Sequence, residues 1–406
     1  MNILFINAYF YPENISFTHL ENDIINELIN RGHTIYVLCP TPSRNISKEE
    51  YIRYKSIRYE ELYDGKLIIK RFKLSKERRN PISRALRYLW CNIKEYFIGK
   101  KIKNIDAIFA VSTPPTQGLV AGKIAKKLKV PFIYSLQDLF PESLENTKIA
   151  KKKTLLWKIG DRIAKKIYKL ASEIIVLSEG IKENLVQKGV LENKISIISN
   201  WINIEEVNEI SKEQNILYDD LKISRDKKNV LYAGNFGVSQ GVSVIINAAE
   251  YLKNENKIQF VLFGGGSEYD KIQSFIKEKE LSNILLFPLL PQSRISEVYS
   301  LADIALITSL KGVGKSGVPS KLWSIMACNK PIIAAFDEDS ELAKIVNESN
   351  AGIVIQPEDS KLLSETILRL LDESVLRNNR EYVENYASKQ VCVEKYIELI
   401  EKNGGK

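Results

Sequence analysis

Short apolar runs alternate with amphipathic segments along the whole chain. Runs such as "TIYVLCP" and "IQFVLFGGG" are typical of strands that are buried on both faces of a parallel sheet. Segments such as "HLENDIINELINRG" and "GLVAGKIAKKLK" carry apolar residues at spacings of three and four, which predicts helices with one buried face. Because strand and helix candidates follow one another in turn, the pattern predicts a parallel α/β fold.

The alternation runs in two series, which predicts two domains. The strand candidates of the first series are "NILFINAYF", "TIYVLCP", "AIFAVST", "FIYSLQD", "EIIVLS" and "ISIISN"; those of the second are "NVLYAGNFG", "IQFVLFGGG", "NILLFPLL", "IALITS", "KPIIAAF" and "GIVIQP". We therefore predict two doubly wound, Rossmann-like domains facing a cleft, at residues 1–205 and 229–371. The polar residues 206–228 are expected to link them, and the helical residues 372–406 to pack back on the first domain.

Composition adds the compartment and the expected absence of a metal. The 406 residues are 44% hydrophobic and 27% charged, and they contain no apolar run long enough to span a bilayer. The four cysteines lie far apart and there are only two histidines, so we expect neither disulfides nor a metal site. The N-terminal apolar run indicates a first strand rather than a signal peptide. These features favour a cytoplasmic protein.

The net charge of +9 is concentrated in the first half of the chain. Between Lys66 and Lys103, basic residues are interleaved with Leu86, Trp90 and Phe97 along a predicted helix, and a second basic run covers residues 148–169. Basic and aromatic residues in this mixture favour an anionic membrane surface, although a solvated helix with an aromatic core face is the alternative. No nucleic-acid-binding motif is present.

Polar residues follow two strand candidates of the first domain. The loop of residues 7–19 carries Glu13 and His19, either as site residues or as part of a plain connection. The loop "SLQDLFPES" places Asp138 and Glu142 directly after a strand, where a carboxylate can orient or deprotonate a hydroxyl group. A helix cap is the alternative for Asp138.

Glycines follow two strand candidates of the second domain. Gly234 and Gly237 lie in "YAGNFGVSQG", and Gly264 and Gly265 in "FGGGSE". Such glycines let the backbone approach a phosphate closely, although this is not the dinucleotide fingerprint and a tight turn is the alternative. "PLLPQ", with Leu289 and Leu290, closes a further strand and offers backbone groups to a planar base.

Lysines gather in "KGVGKSGVPSKLWSIMACNKPIIA", at the start of a predicted helix with Pro319 in its first position. A helix N-terminus favours acidic residues, yet Lys311, Lys315 and Lys321 lie here without an acid. We predict an anion site for a diphosphate, with Lys321 the main ligand because it lies on the helix itself, and Lys311 solvated.

The order of these motifs resembles a bacterial family 4 glycosyltransferase of the GT-B architecture. The matching pieces are "RGHTIYVL", "QDLFPES", "EIIVLSEGIKENL", "ISIISNWIN", "VLYAGNFGVSQG", "FVLFGGGSE", "YSLADIALI" and "VPSKLWSIMACNKPII". "QDLFPES", "NWIN" and "VPSK" are similar to the fucosamine-type transferases of O-antigen and capsule assembly. The resemblance implies metal-independent, retaining transfer from a UDP-sugar without a further cofactor, with the donor on the second domain and the acceptor on the first.

The resemblance assigns site residues, with departures. It places the donor diphosphate and sugar near Asn235, Lys315, Gly317, Ser320 and the glycine loops, and Gln137 at a position where a histidine is frequent. The two glutamates common in this family are replaced by Ser316 and Ser324, and a frequent lysine by Gln240. Glu13, His19 and Glu142 are then expected on the acceptor side, and Asp138, Gln137 and Lys321 at the reacting centre.

The leading hypothesis is transfer of an N-acetylated amino sugar or deoxy amino sugar to a lipid-diphosphate-linked or saccharide acceptor at the inner membrane face. A UDP-sugar epimerase of the same fold is one alternative. A protein that binds sugar nucleotides without catalysis is another, because both glutamates are replaced.

Overall fold

A computed structural model describes residues 1–13, 15, 17–77, 80–142, 154–314, 317–372 and 378–405. The chain divides into two compact units. Unit 1 contains residues 1–199 and 392–406, and unit 2 contains residues 200–391. Among the described residues, no helix combines the length and the apolar character needed to cross a bilayer.

Unit 1 is built around an eight-stranded sheet. Its strands are β1 (Asn2–Ile6), β2 (Thr34–Pro40), β3 (Tyr59–Leu62), β4 (Leu67–Phe72), β5 (Ala107–Val111), β6 (Phe132–Leu136), β7 (Glu173–Val176) and β8 (Ile195–Ile197). The spatial order is β3-β4-β2-β1-β5-β6-β7-β8, and every pair is parallel except β3 with β4. The chain therefore reverses its direction of progress across the sheet between β1 and β5, which is where such sheets bind ligands.

Helices connect the strands of unit 1. They are α1 (Thr18–Asn30), α2 (Lys48–Tyr54), α3 (Pro81–Gly99), α4 (Gln117–Leu128), α5 (Leu155–Leu170) and α6 (Glu179–Gln187). The basic segment of residues 66–103, predicted as a helix, is therefore a strand and a helix in succession. The run "LIIKRF" pairs with β2 as β4 because its apolar positions are buried in the sheet.

Unit 2 contains a six-stranded, fully parallel sheet. Its strands are β9 (Lys228–Asn235), β10 (Ile258–Gly265), β11 (Ile284–Pro288), β12 (Ile304–Thr308), β13 (Ile332–Ala335) and β14 (Gly352–Ile355). The order β11-β10-β9-β12-β13-β14 places the reversal between β9 and β12. Apolar clusters cover both faces of this sheet, as expected for buried parallel strands.

The helices of unit 2 are α7 (Leu217–Asp220), α8 (Ser243–Tyr251), α9 (Tyr269–Glu278), α10 (Ile295–Ser300), α11 (Lys321–Ala327), α12 (Glu341–Glu348), α13 (Ser360–Asp372) and α14 (Asn379–Tyr386). Pro319, predicted at the first helical position, lies before the helix, which begins at Lys321. Residues 206–228 fall within unit 2, where Val207, Leu217 and Ile223 are buried in the core.

The final helix, α15 (Lys389–Gly404), returns to unit 1 from Cys392 onward. Its Tyr396 is fully buried, with its ring edge-on to Phe109 of β5 and its hydroxyl 3.1 Å from Ser135 Oγ. Ile397 and Ile400 are also fully buried. The end of the chain thus supplies part of the core of unit 1.

Candidate active site

The carboxyl end of β9 brings Gly234 against Lys321, the first residue of α11. A Cβ atom added to Gly234 would lie 2.4 Å from the Lys321 Nζ atom, so a side chain at this position would displace the ammonium group. Nζ also lies 4.0 Å from the centroid of the Tyr232 ring. Two residues that are nearly ninety positions apart in the sequence therefore meet at the carboxyl ends of the strands, where β9 lies next to β12.

The Lys321 ammonium is enclosed and unpaired. The residue as a whole is only partly buried, but Nζ is inaccessible to solvent and has no hydrogen-bond partner among the described residues. This desolvation lowers the pKa of Lys321 to about 7. Because a buried charge without a partner is costly, the arrangement favours an anion beside Nζ.

Phe236 organises the glycines that follow β9 and β10. A Cβ atom on Gly264 would lie 2.1 Å from the Phe236 ring, which stacks on Tyr269 with centroids 5.9 Å apart. Cβ atoms on Gly237 and Gly266 would lie 2.8 and 2.3 Å from the Asn235 side chain. These glycines therefore allow Phe236 and Asn235 to pack at the strand ends.

The two loops at the β9–β12 junction are tied together. Thr308 Oγ1 donates to the Gln240 carbonyl at 2.6 Å, and the Leu310 N–H donates to the Ser239 carbonyl at 3.0 Å. Gly241, at φ +59°, takes the left-handed conformation beside Ser309. These bonds hold the loop that contains Gln240 against the end of β12. Gln240 is the position at which the resemblance expects a lysine.

The lysine-rich loop depends on an acid that sequence reasoning missed. The buried Asp337, which follows β13, accepts hydrogen bonds from the Gly312 and Gly314 N–H groups at 2.9 to 3.0 Å. These backbone groups are therefore occupied by a carboxylate of the protein itself. Lys315 and Ser316 lie outside the described residues.

The remaining predicted donor residues take different positions. Gly317 has open space around its Cα atom, and Ser320 is exposed just before α11. Ser324 is buried within α11. Leu289 is half exposed after β11, and Leu290 packs against the core of unit 2.

Gln137, Asp138 and Glu142 follow β6 at the carboxyl edge of the sheet of unit 1. The Gln137 carboxamide donates to Ser135 Oγ at 3.0 Å. Asp138 is exposed, and partial desolvation by the surrounding chain raises the pKa of its carboxyl group. Glu142 is paired with Lys188 at 2.6 Å. Of these three residues, Asp138 is the exposed one.

The two candidates in the loop after β1 are placed differently. Glu13 is buried and accepts hydrogen bonds from the N–H groups of Ser43 and Arg44 at 2.8 and 2.9 Å. It therefore joins the loops after β1 and β2, and burial raises its pKa. His19 is exposed in the first turn of α1, and partial desolvation lowers its pKa.

A buried acid, Glu21, was not predicted. One of its carboxylate oxygens accepts from Asn7 Nδ2 at 2.7 Å, and the other has no partner among the described residues. Complete burial raises the pKa of Glu21 to about 8. It lines a cavity of about 30 Å³ at the ends of β1 and β5. Its position among Leu20, Ile24 and Ile25, on the apolar face of α1, was the signal in the sequence.

Among the described residues, no three His, Cys, Asp or Glu side chains gather where a metal ion could bind. The polar groups at the carboxyl ends of the strands in the two sheets are instead an ammonium group, carboxyl groups, amides and the backbone of the glycine loops. Such groups bind anions and hydroxyl groups.

Two family models match the chain. Residues 22–206 match the model described as Glycosyltransferase Family 4, and residues 214–390 match Glycosyl transferases group 1. Together with the two parallel α/β sheets, these matches define the class: the chain is a glycosyltransferase with the GT-B fold. Its first half matches the Glycosyltransferase Family 4 model and its second half matches the Glycosyl transferases group 1 model.

The chain is similar to proteins that are named as glycosyltransferases. The chain is 26% identical over 268 residues to the "Probable glycosyltransferase WbjE" of Pseudomonas aeruginosa, covering 66% of each chain, which is just under two thirds of that relative. It is 25% identical over 371 residues to a Campylobacter jejuni N,N'-diacetylbacillosaminyl-diphospho-undecaprenol alpha-1,3-N-acetylgalactosaminyltransferase, covering 90% of this chain and 89% of the relative. The structure of Anabaena HepE in complex with UDP matches with a TM-score of 0.73 at 15% identity, covering 99% of this chain and 100% of HepE.

Proposed function

We propose that the protein transfers a sugar from a UDP-sugar to a lipid-linked or saccharide acceptor in bacterial surface polysaccharide assembly, with retention of configuration. The donor half is supported by the Lys321 ammonium group, which is enclosed beside Gly234 and has no hydrogen-bond partner in the part of the chain that the structure describes. A diphosphate beside Nζ would supply the missing counter-charge and would remain stabilised as it leaves. The UDP bound to HepE, a protein of the same fold, supports this assignment.

The reacting atoms follow from this assignment. The bond between the sugar C1 atom and the β-phosphate oxygen breaks, and C1 bonds to the acceptor oxygen. The acceptor proton passes to the departing phosphate, as the family resemblance implies. In this proposal Asp138 orients the acceptor hydroxyl group, because it is an exposed acid that follows a strand end of unit 1.

The acceptor half of the proposal is based on the name of a relative. The Campylobacter relative is named for an acceptor that joins a sugar to undecaprenol through a diphosphate. We extend that chemistry to this chain, with an N-acetylated amino sugar or a deoxy amino sugar of the fucosamine type as the sugar transferred. No further cofactor and no metal is needed for this route.

A surface of unit 1 supports peripheral association with the inner membrane. Leu86, Leu89, Trp90 and Phe97 lie on one face of α3, and each is more than half exposed. α4 packs against both α3 and α5, and its Lys123, Lys126 and Lys127 are exposed. Exposed apolar side chains beside lysines match the interface of an anionic bilayer.

The donor assignment is tested by measuring UDP release from a panel of UDP-, GDP- and dTDP-sugars, with and without a lipid-diphosphate-linked acceptor. We expect release from one UDP-sugar only when the acceptor is present. Lys321→Met should lower UDP affinity and turnover strongly, while Lys311→Met, a change at an exposed lysine, should leave both unchanged. An isomerised donor would indicate the epimerase, and binding without turnover would indicate a non-catalytic protein.

The membrane assignment is tested by co-sedimentation with anionic and neutral vesicles at low and high salt. We expect binding to anionic vesicles that salt reverses and that Trp90→Ala weakens. Tyr251→Ala, which removes an equally exposed aromatic ring from unit 2, is the matched control. Equal binding to neutral vesicles would contradict the electrostatic part.

A further inference from the structure

Three arginines surround one carboxylate where strands of unit 1 end. Arg44 follows β2, Glu77 follows β4, and Arg84 and Arg87 lie in the first half of α3. Arg84 Nε lies 3.1 Å from Glu77 Oε1, whereas the nearest guanidinium nitrogens of Arg44 and Arg87 lie 3.8 and 3.9 Å from the same carboxylate. Three guanidinium groups around Glu77 leave an excess of positive charge. We call Arg44, Arg84 and Arg87 the arginine cluster.

One oxygen of the Glu77 carboxylate already accepts a hydrogen bond from a tyrosine. The Tyr9 hydroxyl donates to Glu77 Oε2 at 2.8 Å and lies 2.7 Å from the Tyr88 hydroxyl. Burial and these neighbours raise the pKa of Tyr9, so it remains a neutral phenol. The guanidinium carbons of Arg44 and Arg87 lie 5.7 and 5.8 Å from the centroid of the Tyr9 ring. Glu77 therefore cannot satisfy all three arginines.

Arg87 shows that an acceptor is missing. Its side chain is 2% exposed, its Nε donates to the Ser75 carbonyl and its Nη2 donates to Ser43 Oγ. Nη1 is buried and has no hydrogen-bond partner among the described residues. Glu13, the other carboxyl group near Arg87, accepts instead from backbone N–H groups. A buried guanidinium N–H group without an acceptor is costly, which points to an anionic oxygen supplied from outside the chain.

The same helix presents a surface for hydrocarbon. Leu86, Leu89 and Trp90 lie within about two turns of Arg84 along α3 and are exposed, whereas Arg87 is turned into the unit. A ligand that contacts both the arginine cluster and the exposed apolar face of α3 would need a negatively charged phosphate for the arginines and an apolar chain for the exposed face. Arginine is suited to the phosphate because its planar fork matches phosphate oxygens.

We propose that the arginine cluster binds the diphosphate of a lipid-linked acceptor, with the hydrocarbon chain beside the exposed face of α3. This inference rests on the proposed function for the identity of the acceptor, but the binding of a prenyl diphosphate can be tested separately. Two of the three arginines, Arg44 and Arg84, have side chains that are 41% exposed and can be reached by such a ligand.

The test compares the double variant Arg44→Gln/Arg84→Gln with the wild type in detergent micelles. Farnesyl diphosphate and farnesol serve as binding probes, and thermal unfolding verifies that each variant is folded. We expect the wild type to prefer the diphosphate, and the double variant to lose about 10- to 100-fold in affinity for it. Arg369→Gln, the loss of an exposed arginine on α13 of unit 2, should leave the affinity for farnesyl diphosphate unchanged.

A second measurement compares the KM of sugar transfer for three acceptors. Acceptors that join the same saccharide and lipid through a diphosphate, a monophosphate or an ether are compared. The double variant should raise KM for the diphosphate acceptor alone and leave the KM for the UDP-sugar unchanged. An equal loss with all three acceptors, or unchanged farnesyl diphosphate binding, would overturn the proposal.

Vesicles distinguish the acceptor from membrane phospholipid as the source of the phosphate. If the double variant lost binding to anionic vesicles but kept its preference for farnesyl diphosphate, the cluster would recognise lipid headgroups and the proposal would be wrong. If UDP binds but no acceptor is glycosylated, the proposed function fails, while the farnesyl diphosphate result still decides the cluster.

Discussion

UDP affinity should fall as the pH rises above 7, because the Lys321 ammonium must be protonated to pair with a diphosphate. Burial lowers the pKa of Lys321 to about 7 in the free protein. A bound diphosphate favours the charged form and raises this pKa in the complex. Below pH 7 the lysine is charged in both states and adds no pH dependence. Above pH 7 the free protein has lost a proton that the complex keeps.

The size of the effect follows from linkage. Each pH unit above the free pKa lowers the affinity by up to tenfold, which corresponds to about 1.4 kcal/mol. Because half of the Lys321 side chains are already neutral at pH 7, the loss between pH 7 and pH 9 should be about 50-fold, provided that the pKa in the complex lies above this range. One proton should be taken up for each UDP bound near pH 9. The terminal phosphate of UDP is already ionised over this interval and contributes little.

Isothermal titration calorimetry of UDP at pH 7, 8 and 9, in two buffers with different ionisation enthalpies, measures both affinity and proton uptake. Lys321→Met should bind UDP weakly at all three pH values, with no proton uptake. Lys311→Met should reproduce the wild-type slope, because Lys311 is exposed.

Two results would refute the reasoning. The first is a wild-type affinity that stays constant from pH 7 to pH 9 without proton uptake. The second is the wild-type slope persisting in Lys321→Met, since the titrating group would then lie elsewhere.

Three further changes test the same physical arguments. Gly234→Ala should weaken UDP binding, because its Cβ atom would meet Lys321 Nζ at 2.4 Å. Gly180→Ala, on α6 of unit 1, has open space around the added Cβ atom and should not weaken it; equal effects in calorimetry would contradict this. Lys321→Met should raise the free energy of unfolding of the ligand-free protein at pH 7 by at most about 5 kcal/mol. The shift of the Lys321 pKa from 10.5 to about 7 measures the cost of burying the charge, and Met removes that cost. An unchanged free energy of unfolding in urea would contradict this prediction. Glu21 keeps its proton in the folded state up to about pH 8 but loses it near pH 4.5 when unfolded, so it lowers stability as the pH rises through this range. Glu21→Gln should therefore reduce the fall in the free energy of unfolding between pH 5 and pH 8, and an unchanged fall would contradict the assignment.

Periodicity alone predicted most of the two sheets. Every strand candidate named from the sequence overlaps an observed strand, because runs buried on both faces are continuous and apolar. β3 and β4 were missed. Lys70 and Arg71 interrupt the apolar run of β4, and its basic surroundings were interpreted as helix. The start of α11 was misplaced by two residues, as boundaries often are.

The candidate site was predictable only in part. The sequence indicated Lys321 and the glycines after β9, because lysines at a helix start and glycines after a strand are local signals. The sequence could not show that Nζ is enclosed, since this depends on Tyr232 and Gly234, far away along the chain. The arginine cluster could not be predicted for the same reason, because Arg44 follows β2 whereas Arg84 and Arg87 follow β4.

The return of α15 to unit 1 has a consequence for the order in which the chain folds during synthesis. Unit 2 is continuous from residue 200 to residue 391, so a ribosome releases it complete. Unit 1 begins first but lacks Tyr396 and the rest of its part of α15 until all of unit 2 has been synthesised. The usual order, in which the N-terminal domain matures before the next, is therefore reversed. Until α15 emerges, the nascent unit 1 exposes the apolar surface that α15 later covers, and chaperones can bind this surface.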